Sequence, residues 1–442
     1  MRKVATILFR DYGLLLVLLA LCAVCSLATI AEHQPAGAAA GRDLAASAAQ
    51  KAGSGGTVLI VAQSGSVQQQ FADALAAELA SGNVVVFETV VGGPSDAAAA
   101  LERAIAASKR IDVLACTPEA ATWSVLETKR KKSPLLSEME IVYPRRYYWP
   151  IFLTTGNLLT IVDQASVTAI MAIGMTMVII GGGIDLSVGS LMALASVLTA
   201  LLMRSAGFAA ADPLMMFFLA SFVAILACAA VGGVTGGLVT RFDVPPFIVT
   251  LAMLLIMAGL ATKLADNATI GLPARVGWLG RERLLGIPNP VFLMAGLYAG
   301  AHLVMTRTVL GRWLYAVGGN EKAAHLCGIS VSRVRMTTYI VSGALAGLGG
   351  VILTSTLTSG NYKLGAGYEL IVISAVVVGG TSLSGGQGSM MGTLLGSLII
   401  AVIRNAMNLA GLRGEDQPMV LGAVILGAVL LDRLKRGREN KG

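Results

Sequence analysis

The sequence of 442 residues is poor in charged and aromatic side chains, which make up 13% and 5% of it. A soluble domain of ordinary composition has about 25% charged residues, and a chain of this size would need more polar surface to cover its core. Hydrophobic residues reach 55%, with a mean hydropathy of +0.75. These values exclude an ordinary soluble globule and predict a membrane protein. The 52 glycines favour helices packed closely through small residues.

The chain also has few residues that could build a metal or redox centre. The three histidines are far apart, so no metal cluster is predicted. The five cysteines are scattered, and Cys22 and Cys25 lie within an apolar run, where lipid-facing positions are the favoured interpretation. We therefore predict neither a cofactor nor a metal. The net charge of +8 could indicate nucleic acid, but the basic residues flank apolar segments, which favours orientation in a bilayer.

Long apolar segments recur along the chain, and a helix needs about 20 such residues to cross the hydrocarbon core. The segment at 367–380 is short, which predicts a re-entrant element or one buried in the bundle. The fold class predicted is an all-α polytopic membrane protein of about ten spanning helices. The predicted spans are 12–31, 157–180, 187–203, 214–238, 246–264, 290–306, 334–357, 367–380, 388–410 and 418–431.

Basic residues gather at three places that a single topology puts on the cytoplasmic side. With the N-terminus inside, ten crossings return the C-terminus to the cytoplasm. Outer loops also carry arginines, so the rule holds on balance. The first span could instead be a cleaved signal peptide, with Ala38–Ala40 as the small-residue cleavage region. The basic clusters are Arg2, Lys3 and Arg10; Arg307, Arg312, Lys322, Arg333 and Arg335; and Arg433, Lys435, Arg436, Arg438 and Lys441.

Residues 32–143 differ in kind from the rest and predict a small extracytoplasmic α/β domain with linkers. An Ala/Gly/Ser/Gln linker runs to Gly56, and strands then alternate with helices, which indicates a parallel, doubly wound sheet between helical layers. Gly65 follows the first strand without GxGxxG spacing, so a nucleotide site is disfavoured. The predicted strands are 57–63, 84–91 and 111–117, and the predicted helices are 66–80, 95–108 and Pro118 to about Leu126.

A short internal repeat suggests two related halves. "GIDLSVG" at 183–189 and "GTSLSGG" at 380–386 share a glycine, a Leu-Ser pair and a second glycine at the same spacing. Each string follows one apolar span and precedes another, as in transporters built by duplication.

The string "GGGIDLSVGSLMAL" at 181–194 is the most informative part of the chain. Its three glycines break one helix, and Asp185 or Ser187 can accept hydrogen bonds from the first free N–H groups of the next. Gly189 and Ser190 allow neighbouring backbones to approach. One interpretation is a discontinuous element along a solute route, and the other is an ordinary capped helix start. The residues alone favour neither.

Together with four further segments, this string resembles the ribose/xylose/galactose-type ABC transporter permeases, a branch of the branched-chain amino-acid and sugar permease superfamily. The segments are "FLTTGNLLTIVDQASVTAIMAIGMTMVI" (152–179), "VPPFIVTLAMLLIMAGLA" (244–261), "GRWLYAVGGNEKAAHLCGISVSRV" (311–334) and "GAGYELIVISAVVVGGTSLSGGQGSMMGTLLGSLI" (365–399). The resemblance covers about 150–432, nearly everything but the first span and the extra domain at 32–143. The predicted domains are a first transmembrane helix, or an uncleaved signal-like anchor, at 1–31, the extra domain at 32–143, a permease domain at 144–432 and a basic cytoplasmic tail at 433–442.

The resemblance also implies partners. These are cytoplasmic ATPase subunits, an extracytoplasmic solute-binding protein and a second permease subunit, identical or not. "GGNEKAAHLCGI" at 318–329 resembles the segment through which such permeases contact their ATPases. A short helix from about Asn320 to Leu326, ended by Gly328, would be a stiff exposed lever. The candidate coupling residues are Gly319, Asn320, Glu321, Ala324, Gly328 and Ile329.

"LSGGQ" at 383–387 equals the ATP-contacting signature of ABC ATPases, but it lies between apolar spans. The chain has no G-x-x-x-x-G-K-[ST] phosphate loop. We therefore interpret the string as a glycine-rich turn and the chain as a transport subunit without its own ATPase site. The residues of this turn are Gly379, Gly380, Ser384, Gly385 and Gly386.

Polar residues within predicted spans are costly and often functional. Glu369 belongs to "GYEL", a motif of the family that usually continues with an acidic residue, but Ile371 stands there. Asp163, Gln164, Arg404, Asn405 and Asn408 are either helix–helix contacts or solute contacts. The candidate pathway residues are Asp185, Ser187, Gly189, Ser190, Asn361, Tyr362 and Glu369.

The function predicted is the permease subunit of an ABC importer for a sugar or a similar small polar solute, in a bacterial inner membrane. Two other classes remain open at this point. An ion-coupled secondary transporter would lose uptake when the ion gradient collapses. A membrane sensor would bind ligand in its exported α/β domain, although it usually needs few spans and a cytoplasmic output domain.

Overall fold

The computed structural model describes residues 2–82, 84–205, 212–424 and 426–427. The chain forms two compact units. The membrane unit comprises residues 1–29 and 151–442, and the α/β unit comprises residues 30–150. The α/β unit is thus wider than the domain at 32–143 that the sequence predicts.

Helices dominate the chain, and each predicted span within 157–410 has a helix within three residues of its bounds. In chain order the helices are α1 (Arg2–Ala28), α2 (Gly37–Ala52), α3 (Ser66–Ser81), α4 (Pro94–Ala106), α5 (Ser124–Lys132), α6 (Thr155–Ile180), α7 (Val188–Arg204), α8 (Pro213–Arg241), α9 (Pro246–Leu264), α10 (Asn289–Arg307), α11 (Val309–Gly319), α12 (Glu321–Leu326), α13 (Val331–Leu357), α14 (Tyr368–Val378) and α15 (Met390–Leu409). Residues 417–424 are also helical.

The strands are shorter and fewer. They are β1 (Ile30–His33), β2 (Thr57–Gln63), β3 (Val85–Gly92), β4 (Val113–Cys116), β5 (Glu140–Val142), β6 (Tyr147–Pro150), β7 (Ile270–Gly271), β8 (Arg283–Leu284), β9 (Ile287–Pro288) and β10 (Ser359–Gly360).

Among the described residues, five helices are long and apolar enough to cross a bilayer: α6, α8, α9, α13 and α15. A sixth span results if α10 and α11, which meet at 69°, count as one bent element. The apolar part of α1 and the helices α7 and α14 are shorter. At 1.5 Å per residue, the 11 residues of α14 cover about 16 Å, roughly half the hydrocarbon core. Most of the span predicted at 418–431 lies outside the described residues.

Glycines bring α8 and α13 of the membrane unit into backbone contact. A Cβ on Gly343 would overlap the Cys228 carbonyl oxygen, and one on Gly232 would overlap the Tyr339 carbonyl oxygen. A Cβ on Gly236 would lie 2.9 Å from the Cα of Met336. These glycines form packing seams, because any larger side chain would push the helices apart.

The α/β unit contains one four-stranded parallel sheet in the order β3-β2-β4-β5. Apolar residues of one face pack against α2 and α3, and those of the other face pack against α4 and α5. The unit is therefore a three-layer α/β/α arrangement. Strands β2, β3 and β4 lie within two residues of the predicted strands, and their near-continuous apolar character reflects burial on both faces.

Three features of this unit differ from the sequence predictions. The supposed linker contains α2, because its alanines favour helix and its small residues allow close packing, with a Cβ on Gly41 only 3.1 Å from the Leu75 nitrogen. The helix predicted from Pro118 is instead a 3₁₀ turn and α5, separated by an extended Trp123. Strand β5 was not predicted, because its three residues are too few to show a strand pattern in the sequence.

Two more strands were not predicted. β1 and β6 pair antiparallel, with Ile30 opposite Pro150 and His33 opposite Tyr147. This pairing brings together the two ends of the α/β unit, which explains why its bounds lie at 30 and 150.

Candidate functional site

The turn after α6 is organised by Asp185, which is 1% exposed. Its Oδ1 accepts hydrogen bonds from the Ser187 backbone N–H at 3.0 Å and the Ser187 hydroxyl at 2.6 Å. Its Oδ2 accepts one from the Ser342 hydroxyl at 2.7 Å. Of the two predicted acceptors, Asp185 accepts the backbone N–H of Ser187, the N-cap of α7, whereas the Ser187 side chain makes no cap bond. Asp185 also ties the turn to α13.

Four of the predicted pathway residues line one cavity of about 180 Å³ within the membrane unit, here called the central cavity: Gly189, Ser190, Tyr362 and Glu369. Lys363 also lines it, and sequence reasoning did not single this residue out. A Cβ on Gly189 would overlap a carboxylate oxygen of Glu369. This carboxylate can lie against α7 only because residue 189 is glycine.

The other three predicted pathway residues, Asn361 and the buried pair Asp185 and Ser187, support the cavity from neighbouring turns. The Asn361 side-chain oxygen accepts the Lys363 N–H at 2.8 Å, and the Asn361 N–H donates to the Ser196 hydroxyl at 3.0 Å. Asn361 therefore shapes the turn that carries two residues of the central cavity. Both of its bonds involve backbone atoms, a role that residue type alone does not reveal.

Three glycine segments from distant parts of the sequence meet in the membrane unit. The Gly386 N–H donates to the Ile180 carbonyl at 2.9 Å. A Cβ on Gly318 would overlap that same carbonyl oxygen and lie 2.6 Å from the Gly386 nitrogen. A Cβ on Gly385, whose φ is +83°, would lie 3.2 Å from the Cα of Gly182. We call Gly182, Gly318, Gly385 and Gly386 the glycine junction.

The glycine junction joins the residues just before the first repeated string, the end of the second repeated string and the end of α11. Glu369 of the central cavity lies at the start of α14, and the glycine-rich turn follows the end of this helix. The two are nine residues apart, which is about 14 Å along the helix axis.

The predicted short helix is present as α12. Asn320 is its N-cap, with the side-chain oxygen accepting the Ala323 N–H at 3.0 Å. Gly328 follows the helix with φ +80°, a left-handed conformation that favours glycine. Ala324 is 4% exposed and anchors the helix, whereas Leu326 is 86% exposed. The helix thus presents one apolar side chain on a rigid base.

One arginine, not proposed as a site residue from the sequence, connects α12 to the first glycine segment. Arg335 on α13 donates from its two terminal nitrogens to the Glu321 carboxylate at 3.1 and 2.7 Å. Its Nε donates to the Gly181 carbonyl at 3.1 Å. A planar guanidinium can hold both acceptors at once. We call this arrangement the Arg335 clasp; its partners are 14 and 154 residues away in sequence, so no local pattern predicts it.

The remaining predicted residues belong to the glycine-rich turn or lie next to α11 and α12. Tyr315 of α11 donates its hydroxyl to the Gly388 carbonyl at 2.8 Å, which holds the glycine-rich turn against α11. A Cβ on Gly379 would lie 2.7 Å from the carbonyl carbon of Gly392 on α15. Gly380 has φ +86°, and the Ser384 N–H donates to the Ser382 hydroxyl at 3.3 Å. Gly319 ends α11, and Ile329 packs on the core of the membrane unit.

Comparisons with known proteins place the chain in a family of transport proteins. Residues 157–431 match the family described as branched-chain amino acid transport system / permease component. The chain is 42% identical over 298 residues to the ribose import permease protein RbsC of Escherichia coli (strain K12), covering 65% of this chain and 88% of that protein.

Two further relatives show the same pattern. The RbsC protein of Bacillus subtilis (strain 168) is 41% identical, over 69% of this chain and 94% of its own length. The D-allose transport system permease protein AlsC of Escherichia coli (strain K12) is 36% identical, over 64% of this chain and 85% of its own length. No solved structure matches the chain.

Proposed function

The chain belongs to the permease component family of branched-chain amino acid transport systems, and from that premise we propose that it is the membrane-spanning subunit of an ABC importer for a sugar. The observation that carries this proposal is the 42% identity over 88% of a ribose import permease. The solute is ribose, allose or a related small polar solute, since those names recur among the relatives. Separate ATPase subunits supply the energy, and a solute-binding protein delivers the solute.

We propose that the chain crosses the inner membrane ten times, with both termini in the cytoplasm and residues 32–143 outside. The three basic clusters support this topology. The short helices α7 and α14 then supply two of the ten crossings, and the glycine-rich turns next to them lie toward the cytoplasmic side. The two repeated strings support two related halves, and the end of the second string contacts the residues just before the first at the glycine junction.

The central cavity is the proposed stretch of the solute pathway. It combines the Glu369 carboxylate, the Ser190 hydroxyl and the Lys363 ammonium within a membrane-embedded bundle, where unpaired ionisable groups are rare unless functional. Helices that end inside a bundle present free backbone groups to a solute, and α14 begins at this cavity. Asp185 and Ser187 support the pathway by fixing the start of α7.

The Arg335 clasp is the proposed route by which ATPase movement reaches the pathway. ATPase subunits that contact α12 would move Glu321, and the clasp would transmit that movement to Gly181 and the glycine junction. Packed elements of this kind switch between discrete arrangements rather than deforming gradually. The chain itself hydrolyses no ATP in this mechanism.

The transport proposal is tested by expressing the chain with the ATPase and binding protein of the same transporter. Uptake of radiolabelled D-ribose and D-allose is measured in a strain without its own permeases for these sugars. We expect uptake that stops when the ATPase is omitted and persists when an ionophore collapses the ion gradient. Uptake abolished by the ionophore alone would instead identify an ion-coupled transporter.

The clasp is tested by Arg335→Lys, which keeps the charge but cannot bridge both acceptors. We expect the sugar transported per ATP to fall about tenfold, the equivalent of about 1.4 kcal/mol of lost coupling. Arg103→Lys is the matched control, because Arg103 makes a similar two-nitrogen contact with Glu88 in the α/β unit.

A charge swap separates the two contacts of the clasp. Glu321→Arg combined with Arg335→Glu restores an ion pair but leaves no donor for the Gly181 carbonyl. We expect this double variant to remain uncoupled. Full rescue would show that the ion pair suffices, which would contradict a role for the Gly181 contact.

The α/β unit is proposed to dock the solute-binding protein or to sample solute near the entrance. Deletion of residues 34–146, which leaves the paired ends β1 and β6 in place, tests this role. We expect a raised KM for the loaded binding protein. Unchanged affinity and maximal rate would leave the unit without a part in transport.

A further inference from the structure

A second polar cavity, of about 260 Å³, lies among α6, α13, α14 and α15 in the membrane unit. Asp163 and Gln164 of α6 line it together with Arg404 and Asn408 of α15, which are more than 200 residues away in sequence. Polar residues of two helices therefore converge on one space. By contrast, Asn405 pairs its amide with Asn157 at 2.7 and 3.1 Å and is a plain helix–helix contact.

The polar groups of this cavity are held in place by their neighbours. The Arg404 guanidinium carbon lies 5.9 Å from the centre of the Tyr368 ring, a cation–π arrangement. The Gln417 amide nitrogen donates to the Asn408 side-chain oxygen at 2.8 Å. The cavity is thus a fixed set of donors and acceptors beside an aromatic ring.

The charges around this cavity indicate which solute it suits. Asp163 and Arg404 contribute one charge of each sign, so the lining is neutral as a whole. The amides of Gln164, Asn408 and Gln417 both donate and accept hydrogen bonds. A neutral molecule with several hydroxyl groups matches this lining better than an ion or an apolar ligand.

Both cavities are lined by residues at the first turn of α14. Tyr368 lines the second cavity, and Glu369, the next residue, lines the central cavity. Asp163 is 17 residues from the end of α6, about 25 Å along its axis, whereas Glu369 is about 14 Å from the end of α14. The Asp163 side of the second cavity therefore lies in the first half of α6, away from the glycine-rich turn that follows this helix.

We propose that this second cavity is an outer acceptor site for a neutral polyhydroxy solute, occupied before the solute passes the first turn of α14 into the central cavity. The site rests on the proposed function and on its topology, which puts the glycine junction toward the cytoplasm. Tyr368 and Glu369 form the wall between the two sites. Rotation of this single turn opens one cavity to the other.

The test uses the complete transporter, with its ATPase and binding protein, in proteoliposomes and D-ribose as the probe. Asn408→Leu removes the amide at nearly constant volume, and Thr356→Val removes a hydroxyl from the same lining. Thr306→Val is the matched control, because Thr306 also donates to the carbonyl four residues earlier but lies on the exposed side of α10. We expect Asn408→Leu to lower the D-ribose transported per ATP about tenfold, the effect of one lost hydrogen bond to the solute.

A second measurement does not depend on turnover. In a Cys327→Ser background, Asn408→Cys is labelled with a maleimide in the presence and absence of D-ribose. We expect D-ribose to slow the labelling, whereas the non-sugar osmolyte betaine does not.

The outcomes separate the site from the proposed function. In one outcome the unaltered transporter carries D-ribose, Asn408→Leu and Thr356→Val carry it equally well, and D-ribose does not protect the cysteine. This outcome would overturn the acceptor site and leave the function standing. Failure of the unaltered transporter to take up or bind D-ribose would overturn both the ribose assignment and this site. A loss that Thr306→Val reproduces would show general damage to the bundle and would also overturn the site.

Discussion

The two units of this chain reach a packed structure by different physical means. In the α/β unit, apolar side chains cover both faces of a parallel sheet, and residues such as Leu59 and Leu75 are fully buried. In the membrane unit, several decisive contacts are made by glycines through backbone atoms, as at the glycine junction. Water drives apolar burial in the first case. In lipid, close approach of backbones takes over much of that role.

This difference predicts opposite sensitivities to small substitutions. Adding one methyl group to a surface or half-buried position of the α/β unit is tolerated. The same methyl group at the glycine junction meets a carbonyl oxygen that cannot move without displacing the end of a helix.

The largest expected effect is that of Gly318→Ala. The new Cβ would overlap the Ile180 carbonyl oxygen and disrupt the Gly386 hydrogen bond, at a cost of about 3 kcal/mol or more. Gly319→Ala is the control, because a Cβ there meets no atom within 4 Å in the same helix. Folded yield and the midpoint of thermal unfolding in detergent measure the difference. Equal midpoints for the two variants would contradict the tight contact at Gly318.

The sequence was informative about these elements to different degrees. The strings around Gly183 and Gly380 showed that two turns correspond, because their spacing repeats along the chain. Contact between the turns was not predictable, since it depends on Gly318 from a third segment. The Arg335 clasp was missed for the same reason: its acceptors include a backbone carbonyl, which leaves no trace in residue type.

In the α/β unit, strands β2, β3 and β4 were predicted because buried strands form continuous apolar runs. The helix α2 was missed because alanine and glycine in a row look like a flexible linker. Its partner α3 supplies the bulk that α2 lacks, with Phe71 and Leu75 packed on Gly41 and Leu44. Such complementarity between two segments is a property of the folded unit and not of either sequence.

A smaller effect, confined to one unit, is expected for Leu75→Ala. Leu75 is fully buried against the sheet, so the truncation costs about 2–5 kcal/mol. Val67→Ala on the same helix is the control. Because Val67 is 44% exposed, this substitution lowers the free energy of unfolding by about 0.5 kcal/mol or less. Urea-dependent proteolysis within residues 34–146 reports the stability of the α/β unit. A matching fall in the thermal midpoint of the membrane unit would show that the two units do not fold independently.

The smallest perturbation is chemical labelling of native cysteines, which changes no stabilising contact. Cys116 lies in the sheet of the α/β unit, and burial raises the pKa of its thiol to about 12. Only the thiolate reacts, so at pH 8 about one thiol in ten thousand is reactive, and the site is closed as well. Cys327, just after α12, is exposed. We expect a membrane-impermeant maleimide to label Cys327 and to reach Cys116 only after unfolding in urea.

The side of labelling then decides the orientation of both units. With α12 in the cytoplasm, Cys327 is modified in inverted membrane vesicles and protected in intact spheroplasts, and Cys327→Ser removes the signal. Raising the pH from 7 to 9 increases the thiolate fraction of an open thiol, but Cys116 stays protonated because its pKa remains far above 9. Labelling of Cys327 from outside would reverse the proposed topology. It would also place the α/β unit in the cytoplasm, because the proposed topology has five crossings, an odd number, between residues 150 and 327.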